Sequence, residues 1–313
     1  MKVRRSAQLS TFVLALLAAI CAQAFAQASR LSVEQKPTPE EALKFLKSMP
    51  RVWRNPTGKK KELTQLWESY TVADLKTLKI VHPGGHVEDP TAPNSFSRRH
   101  LRISPADWKY FTAFEQMEEF VVAHDMEGIT DECLFHVGQF PQTVKTLRLE
   151  MSEASGEGIR HLQNLRQLRA LSLNFSRTLD DRALVHAAGV ASLQYLDVNA
   201  CPQVTGTGVA ALAKLKNLKT LKIGSCSLSD ESLQHFNNLP IQELDLSNVE
   251  KGWIVDYRGG GRCRFTVTFD GLRRLLANKQ NLPNLQRLLL TDTSFTRPQK
   301  VQLAELRPGL EVK

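Results

Sequence analysis

The chain has 313 residues, of which 42% are hydrophobic and 23% are charged, and this balance excludes a disordered or fibrous chain. The net charge of +9 at neutral pH favours anionic partners without naming one. After residue 26 no apolar run is long enough to cross a bilayer, so we predict a mature chain without a transmembrane segment.

Residues 1–26 have the pattern of a secretory signal peptide. Three cations precede an apolar run of 11 residues, Phe12–Ala22, which is too short to span a membrane. The small-residue pattern at 24–26 is typical of a cleavage site. We therefore predict export, to the periplasm or the medium. The alternative is lipoprotein anchoring at Cys21, a motif that Ile20 fits poorly because a small residue is expected there.

Residues 27–70 predict a helical N-terminal cap. Thr38 and Pro39 are typical of a helix start, as N-cap and first-turn residue, and the helix should end before Pro50. A second helix is predicted over 62–70. The repeats that follow leave the core of their first unit open, so we expect the two helices to cover it.

Residues 71–116 predict one or two degenerate repeats with a long loop. Leu75, Leu78 and Ile80 carry the spacing of a strand that recurs throughout the rest of the chain. Leu101 and Ile103 carry part of the same spacing. A Pro- and Gly-rich stretch separates the two, and such a stretch is typical of a loop.

This loop holds His82, His86, Glu88 and Asp89, which are residue types that bind Zn²⁺. The intervening Pro-Gly-Gly excludes the helix that would bring the two histidines together. We therefore predict a polar turn, no metal site and no catalytic residues. A metal-dependent enzyme that uses His82, His86 and Glu88 is the alternative.

From residue 117 to 313 one pattern occurs seven times. Each unit has apolar residues at offsets 0, 3 and 5 from its start, and a small or polar residue at offset 8 in six of the seven units. Alternation at offsets 3 and 5 is typical of a strand with one buried face, and apolar residues at three-residue spacing predict a returning helix. The units start at Met117, Val144, Leu168, Leu193, Leu218, Ile241 and Leu285.

These units resemble the leucine-rich repeat family, L-x-x-L-x-L-x-x-(N/C)-x-L. The long period and stretches such as VTGTG after the turn are similar to the cysteine-containing, ribonuclease-inhibitor-like branch, and to bacterial exported proteins of this kind. The resemblance implies an α/β fold, a right-handed solenoid in the form of a horseshoe or arc. Parallel strands would line its concave face and helices its convex face.

Offset 8 is occupied by cysteine in two adjacent units, at Cys201 and Cys226. A buried polar side chain at this position can form hydrogen bonds with the backbone of neighbouring turns. A disulfide between the two cysteines is permitted in an exported protein. We instead expect two buried thiols side by side, because free cysteine often packs as a small apolar residue.

Residues at offsets 2, 4 and 6 should face the concave side, and they are mixed in sign. Such a face predicts a surface for a protein partner, with tyrosine as an anchor, rather than a nucleic-acid groove. Solvated positions without a binding role are the alternative. The candidate binding residues on this face are Arg148, Tyr195, Asp197 and Lys222.

The last interval holds an insertion at about 250–269 with two alternating arms around a Gly-Gly-Gly turn. This pattern predicts an inserted β-hairpin. Arginine with tryptophan and tyrosine could bind an acidic glycan or an acidic protein patch, or the hairpin could instead cover apolar surface. Its candidate binding residues are Trp253, Tyr257, Arg258, Arg262 and Arg264.

The sequence therefore predicts a non-catalytic, exported binding module without a cofactor. A protein partner is expected on the concave face, on the hairpin, or on both, and an anionic glycan bound by the hairpin arginines is the alternative. Extended repeat surfaces act by recognition, but the step from fold to role is an analogy.

Overall fold

The computed structural model describes residues 36–49, 52–54, 62–64, 67–83, 86–87, 99–122, 126–248 and 263–313. The chain divides into two compact units, Met1–Thr38 and Pro39–Lys313. In the first unit only 36–38 are described, so the predicted signal peptide lies outside the described residues. The second unit carries the repeats.

The second unit is built on a nine-stranded parallel sheet, and its strands follow one another in chain order. Parallel neighbours need a crossover connection, which here is the convex half of each repeat. The fold is thus an α/β solenoid of the leucine-rich-repeat type. The strands are Ile80–Val81, Glu119–Val122, Thr146–Leu149, Ala170–Ser172, Tyr195–Asp197, Thr220–Lys222, Glu243–Asp245, Arg287–Leu289 and Glu311–Val312.

The offset-3 residues form one buried column through the sheet. Leu147 pairs with Leu171, and the register continues from Leu171 to Leu196 and from Leu196 to Leu221. All four side chains have an exposed fraction of 0%. The predicted stacking of these leucines in a single core is confirmed.

The convex segments are a mixture of α- and 3₁₀-helices. Where the apolar residues recur at every third position, as at Val209 and Leu212, the segment is 3₁₀, because a 3₁₀-helix has three residues per turn. The 3₁₀-helices are Pro105–Ala113, Gly156–Asn164, Thr207–Lys214 and Ser232–Phe236. The α-helices of the second unit are Pro39–Ser48, Val72–Thr77, Asp131–Val137, Arg182–Ala187, Phe269–Ala277 and Arg297–Glu305.

The chain leaves each strand through a residue in the left-handed conformation. The residue at offset 7 has a positive φ in five units, although none of the five is a glycine: Met151, Phe175, Ala200, Ser225 and Asp292. The left-handed conformation is energetically unfavourable for a residue other than glycine, so contacts with neighbouring residues must stabilise it. The sharp turn directs the next side chain, at offset 8, into the core.

The offset-8 side chains form the predicted hydrogen bonds with neighbouring turns. The Ser152 hydroxyl donates to the carbonyl of Ile129 at 3.1 Å. The thiols of Cys201 and Cys226 donate to carbonyls of the preceding repeat at 3.5 and 3.1 Å. Both cysteines are fully buried and unbonded to each other, and burial raises the pKa of each thiol.

Successive repeats are joined by a second set of contacts, in which one aspartate accepts from both the N–H and the hydroxyl of a Ser or Thr in the next repeat. The pairs are Asp131 with Ser155, Asp181 with Thr205, and Asp230 with Thr268. A glycine follows three residues after each Ser or Thr, because a Cβ there would collide with the aspartate itself or its backbone carbonyl. These contacts keep the convex segments in register.

The predicted second helix over 62–70 is wrong. Glu62–Thr64 is a strand that pairs antiparallel with Val52–Arg54, and 67–69 form a turn. Trp67 is buried there against Phe114, with ring centroids 5.8 Å apart, so tertiary packing overrides the helical pattern. The first helix, Pro39–Ser48, begins and ends within one residue of the prediction.

The predicted register of the first repeat is also wrong, by three residues. A capping box between Thr71 and Asp74 starts a helix that includes Leu75. Val81, not Leu78, then pairs with the offset-3 residue Phe120, and Ile80 is 61% exposed. The described residues of 71–116 thus contribute a single strand to the large sheet, the smaller of the two numbers predicted.

A small second sheet lies within this first repeat and the segments around it. Its strands, in their order across the sheet, are Glu62–Thr64, Val52–Arg54, His86–Val87, Arg99–Arg102 and Met126–Glu127. Leu101, predicted as part of a second strand motif, is in this sheet and not in the parallel one. Next to it the 3₁₀-helix over 105–113 carries Trp108 and Phe111, which pack on Phe120 at 5.8 and 5.2 Å between ring centroids.

The last repeat ends in a short strand at Glu311–Val312. Before it lies Arg307, whose side chain is buried. Its guanidinium donates to the carbonyls of Leu276, Leu282 and Asn278 at 2.6 to 2.7 Å, and burial lowers its pKa. The bonds to Leu276 and Asn278 satisfy acceptors at the end of the helix Phe269–Ala277, where no intrahelical donor remains, and the bond to Leu282 ties the turn that follows.

Candidate binding surface

The outward-facing residues of the sheet stack into columns that cross the strands. Tyr195 lies between Ala170 and Thr220, and Asp197 lies between Ser172 and Lys222. Equivalent positions on neighbouring strands are about 4.8 Å apart, so side chains from adjacent repeats can contact one another. The candidate residues Tyr195, Asp197 and Lys222 are brought together in this way.

Asp197 is the centre of the resulting cluster. Its carboxylate accepts from the N–H of Asn199 at 3.0 Å, from the hydroxyl of Tyr195 at 3.3 Å and from the amide of Asn174 at 3.5 Å. The side chain is buried, and this burial raises its pKa, with a partial opposing effect of the Asn199 N–H and the nearby charge of Lys222.

Tyr195 is half-buried, and burial beside the Asp197 carboxylate raises the pKa of its hydroxyl. The Nζ of Lys222 lies 5.8 Å from the centroid of the Tyr195 ring, within the range of a cation–π contact. The same ammonium lies 3.7 Å from Oδ2 of Asp245. Lys222 thus links two strands through one aromatic and one acidic neighbour.

Arg148 lies two strands away from this cluster. Its guanidinium donates to Glu150 at 2.8 Å, and that hydrogen bond raises its pKa further. Glu150 is almost fully buried, whereas half of the Arg148 side chain is exposed. The cation therefore projects from the sheet above its carboxylate.

The same difference in exposure between a cation and its carboxylate partner recurs along the sheet. The Lys222 side chain is 28% exposed, whereas that of its partner Asp245 is 8% exposed. The Arg287 side chain is 55% exposed, whereas that of its partner Glu243 is 11% exposed. Each cation projects from the face, and each carboxylate lies beneath it. The face is mixed in sign by sequence, but its exposed charged groups are mainly cationic.

Six members of this network were not singled out as binding residues from the sequence: Glu150, Asn174, Asn199, Glu243, Asp245 and Arg287. Their signal was present, because each falls at offset 2, 4 or 6 of its repeat. What the pattern could not show is burial. Ser172, Asn199 and Ser247 are buried although they point away from the core.

The insertion is described only from Cys263 onward. Trp253, Tyr257, Arg258 and Arg262 lie outside the described residues, so the two-armed hairpin stays a prediction. Arg264 is exposed, and its N–H donates to the hydroxyl of Ser227 at 3.1 Å. Thr266 continues along the same neighbour, with a bond from its N–H to the Leu228 carbonyl at 2.7 Å.

The described part of the second arm alternates in burial as predicted, but residues 263–268 form no strand. Val267 is buried, Cys263 and Phe265 are half-buried, and Arg264 and Thr266 are exposed. Phe265 packs on the main core. This segment is therefore held against the preceding repeat.

The histidine-containing loop is described only in part. His86 pairs with His100 across antiparallel strands, whereas Glu88 and Asp89 lie outside the described residues. In the part of the chain that the structure describes, no group of three or more His, Cys, Asp or Glu is placed to hold a metal ion. Within the same part, no helix has the length and apolar character needed to cross a membrane.

No family model matches the chain. Among solved structures, the chain is similar to an internalin (inlF) from Listeria monocytogenes, with 16% sequence identity and a TM-score of 0.41. The match covers 73% of this chain and 64% of the internalin chain, which is less than two thirds of that protein's length.

Proposed function

We propose that this protein is a non-catalytic, exported binding module that holds a protein partner on the concave face of its sheet. The observation that carries the proposal is the cluster of Tyr195, Asp197 and Lys222. In it an aromatic side chain, a buried carboxylate and an ammonium come from two adjacent strands and are fixed by their neighbours.

Preorganisation supports a binding role for this cluster. A side chain that is already held by hydrogen bonds loses little conformational freedom when a partner arrives. Tyr195 has its hydroxyl bonded to Asp197 and its ring beside Lys222, while part of the ring remains accessible. Tyrosine in such a setting is enriched among the residues that dominate binding energies.

The charge arrangement indicates the chemistry of the partner. Because Arg148, Lys222 and Arg287 project above carboxylates that are nearly buried, the face offers cationic donors to the incoming molecule. These donors suit carboxylates and backbone carbonyls of a protein. The buried acids keep the cations in place and limit long-range attraction of unrelated anions.

Further parts of the proposal rest on the sequence pattern. The 23- to 27-residue period with cysteine at offset 8 supports the ribonuclease-inhibitor-like branch. The pattern of 1–26 supports export. The helix Pro39–Ser48 and the Trp108 cluster support an N-terminal cap, because their buried side chains belong to the same core as Phe120.

The alternative proposal is that an inserted hairpin binds an acidic glycan through Arg258, Arg262 and Arg264. Of these, the described residue Arg264 is exposed, as that role requires. Salt-sensitive binding that is abolished by replacing all three arginines would support this alternative over the concave face. Turnover of a substrate that is lost on changing His82 or His86 would support an enzyme instead.

The concave-face proposal is tested by site-specific photocrosslinking. A photoreactive amino acid is placed at Tyr195, or at Val185, which is 51% exposed on the helix Arg182–Ala187. We expect a discrete crosslinked protein from the first position and none from the second. Equal products from both positions, or products from Val185 alone, would exclude the concave face.

The protein that is captured is then purified and titrated against single-site variants. Because hot-spot residues contribute about 2 kcal/mol or more, Tyr195→Ser should weaken binding roughly 30-fold. The matched control, Val185→Ser, should leave the dissociation constant unchanged. An unfolding midpoint of the Tyr195→Ser variant equal to that of the unaltered protein separates lost contact from lost structure.

A further inference from the structure

The two rims of the solenoid carry opposite charge. The turns that lead from the convex segments into the strands from Thr146–Leu149 to Arg287–Leu289 form one rim, and they contain eight lysines and arginines and no carboxylate. We name this the basic rim. Its segments are 137–145, 160–169, 186–194, 213–219, 235–242 and 277–286. The turn before the strand Glu119–Val122 differs, because it carries Glu115 and Glu118.

The turns that leave the strands form the opposite, acidic rim. In the described segments 128–132, 151–157, 175–182, 200–206, 225–231, 263–270 and 292–297, ten carboxylates stand against four arginines. Three of these acids, Asp131, Asp181 and Asp230, are occupied by the contacts between repeats. Contacts between repeats therefore account for part of the acidic rim, whereas among the described cations of the basic rim only Lys145 forms an ion pair with a neighbouring repeat.

The basic rim is one continuous surface, because its turns are bonded to one another in sequence. The N–H of Arg169 donates to the carbonyl of Lys145 at 2.8 Å, Gln194 donates to Arg169 at 2.8 Å, and Lys219 donates to Gln194 at 2.8 Å. The row continues through Gln242 at 2.7 Å. With about 4.8 Å between strands, Lys145 and Arg169 lie within one Debye length of about 8 Å, and Arg169 and Lys219, two strands apart, lie only slightly beyond it.

Most cations of this rim have no carboxylate partner among the described residues. Arg166, Arg169, Lys216 and Lys219 are all exposed. Lys216 donates to the Ala213 carbonyl at 3.2 Å. Lys145 is the exception, since it forms an ion pair with Glu118 at 2.6 Å. The rim thus holds unneutralised charge that self-repulsion would disfavour, which indicates a role in binding an anion.

The uncharged residues of the rim narrow the kind of anion. Between the cations stand amide side chains, which can donate to and accept from hydroxyl groups. Five of them already donate to backbone carbonyls, namely Gln142, Gln163, Asn217, Asn281 and Asn284, so the ligand contacts fall mainly to the others. The described residues of the rim include no exposed large apolar side chain; those found elsewhere are Ile80, Val185 and Val301. The rim's amides are Gln139, Gln142, Gln163, Asn164, Gln167, Gln194, Asn217, Asn237, Asn238, Gln242, Asn278, Gln280, Asn281, Asn284 and Gln286.

We propose that the basic rim binds a linear acidic polysaccharide. Its cations would contact the acidic groups and its amides the hydroxyls of the chain. A surface that inserts into membranes combines cations with exposed apolar residues, and a surface for single-stranded nucleic acid stacks bases on aromatic rings. The rim offers neither. The acidic rim on the other side repels the same ligand and so confines it to one side of the sheet.

This inference is independent of the protein partner proposed above, because it uses different residues. It also differs from the hairpin alternative, in which Arg258, Arg262 and Arg264 bind the glycan. The rim variant is Arg166→Gln, Arg169→Gln, Lys216→Gln and Lys219→Gln. The control variant, with the same change in net charge, is Lys44→Gln, Lys76→Gln, Arg273→Gln and Arg297→Gln, all of which are exposed and lie outside the rim.

The experiment titrates fluorescently labelled polygalacturonate with the purified protein and follows fluorescence anisotropy. We expect binding that weakens as salt is added, at least a tenfold loss of affinity in the rim variant, and less than a twofold loss in the control variant. The Tyr195→Ser variant should bind as the unaltered protein does. Neutral dextran should not bind.

Four results would overturn the inference. Equal losses in the rim and control variants would mean that net charge alone is responsible. A loss confined to a variant of Arg258, Arg262 and Arg264 would assign the glycan to the insertion. Tighter binding to vesicles of anionic lipid, or to an oligothymidine strand, than to polygalacturonate would identify a different class of ligand. The absence of any binding to polygalacturonate would exclude a polysaccharide site on the basic rim.

Discussion

Replacing Asp181 by alanine should cost more stability than replacing any exposed carboxylate of the same rim. Its carboxylate accepts from the hydroxyl of Thr205 at 2.7 Å, and from the N–H groups of Thr205, Gly206 and Gly208 at 3.0, 2.9 and 3.0 Å. Gly206 and Gly208 are buried. In Asp181→Ala their N–H groups lose an acceptor that water cannot readily replace.

Each buried donor left without a partner costs about 1–3 kcal/mol. With two such donors and two more accessible ones, we expect the free energy of unfolding to fall by about 3–5 kcal/mol. Asp181→Asn keeps one acceptor oxygen and loses the charge, so its effect should lie between those of the alanine variant and the unaltered protein.

The measurement is equilibrium unfolding in urea, followed by circular dichroism. The midpoint should shift while the slope stays constant, since the same surface is exposed on unfolding. Glu153→Ala is the matched control, because Glu153 is an exposed carboxylate on the same rim. A loss below about 1 kcal/mol in Asp181→Ala, or a loss equal to that of the control, would refute a stabilising contact between repeats.

Lys145 and Lys79 lower the pKa of Glu118 from 4.5 to about 2, so the Glu118 carboxyl has a lower pKa in the folded state than in the unfolded state. The unaltered protein should therefore be more stable than Glu118→Gln by a constant amount above pH 4.5, and this difference should vanish as the pH falls toward 2. The midpoints of urea unfolding measure it. Burial raises the pKa of Asp197, so the unaltered protein loses stability as the pH rises past the usual aspartate range. Asp197→Asn should therefore be more stable at neutral pH, the more so because its amide could donate to the buried Oδ1 of Asn174, which has no partner among the described residues. Arg307→Met should lower the free energy of unfolding by about 3–5 kcal/mol, because three carbonyls lose a charged donor and only those of Leu282 and Asn278 keep a backbone N–H. Arg307→Lys should recover only part of this loss.

Each of these three predictions has a clear contrary result. A Glu118→Gln difference that persists at pH 2 would mean that the lysines do not act through its charge. A destabilised Asp197→Asn would show that the carboxylate gains more from its donors than burial costs. Full stability of Arg307→Met would mean that water replaces the guanidinium.

The repeating part of the fold was predictable because burial imposes a period on the sequence. Leu147, Leu171 and Leu196 occupy the same environment in successive repeats, so the same residue type recurs at the same offset. The spacing of the polar contacts between repeats is also regular, at 24 residues for Asp131 to Ser155 and for Asp181 to Thr205. However, each of these contacts pairs one aspartate with one later Ser or Thr, and the spacing of the apolar residues does not predict such pairs.

Outside the repeats, the sequence was a weaker guide. The segment 62–70 has a helical pattern, but strand pairing with Val52–Arg54 and the burial of Trp67 override it. In the first repeat, an apolar spacing that fits a strand was divided between a helix and a strand by the capping box at Thr71. Local hydrogen bonds at a helix start can therefore shift a register that apolar spacing alone appears to define.

For the candidate surface, offset counting located the residues but not their accessibility. Tyr195, Asp197 and Lys222 were expected to share one face, and they lie on it. Whether a polar residue on that face is exposed depends on its neighbours across two strands. Asp197 is buried and Lys222 is partly exposed, although both stand at offset 4.

The contact between Asp230 and Thr268 spans 38 residues, where the equivalent contact elsewhere spans 24. The junction closes in the same way in both cases, so the solenoid tolerates variation in the length of chain between these anchors. This makes the interval after Asn248 a natural graft site. Foreign loops could be spliced there, with the helix Phe269–Ala277 expected to resume its place behind them.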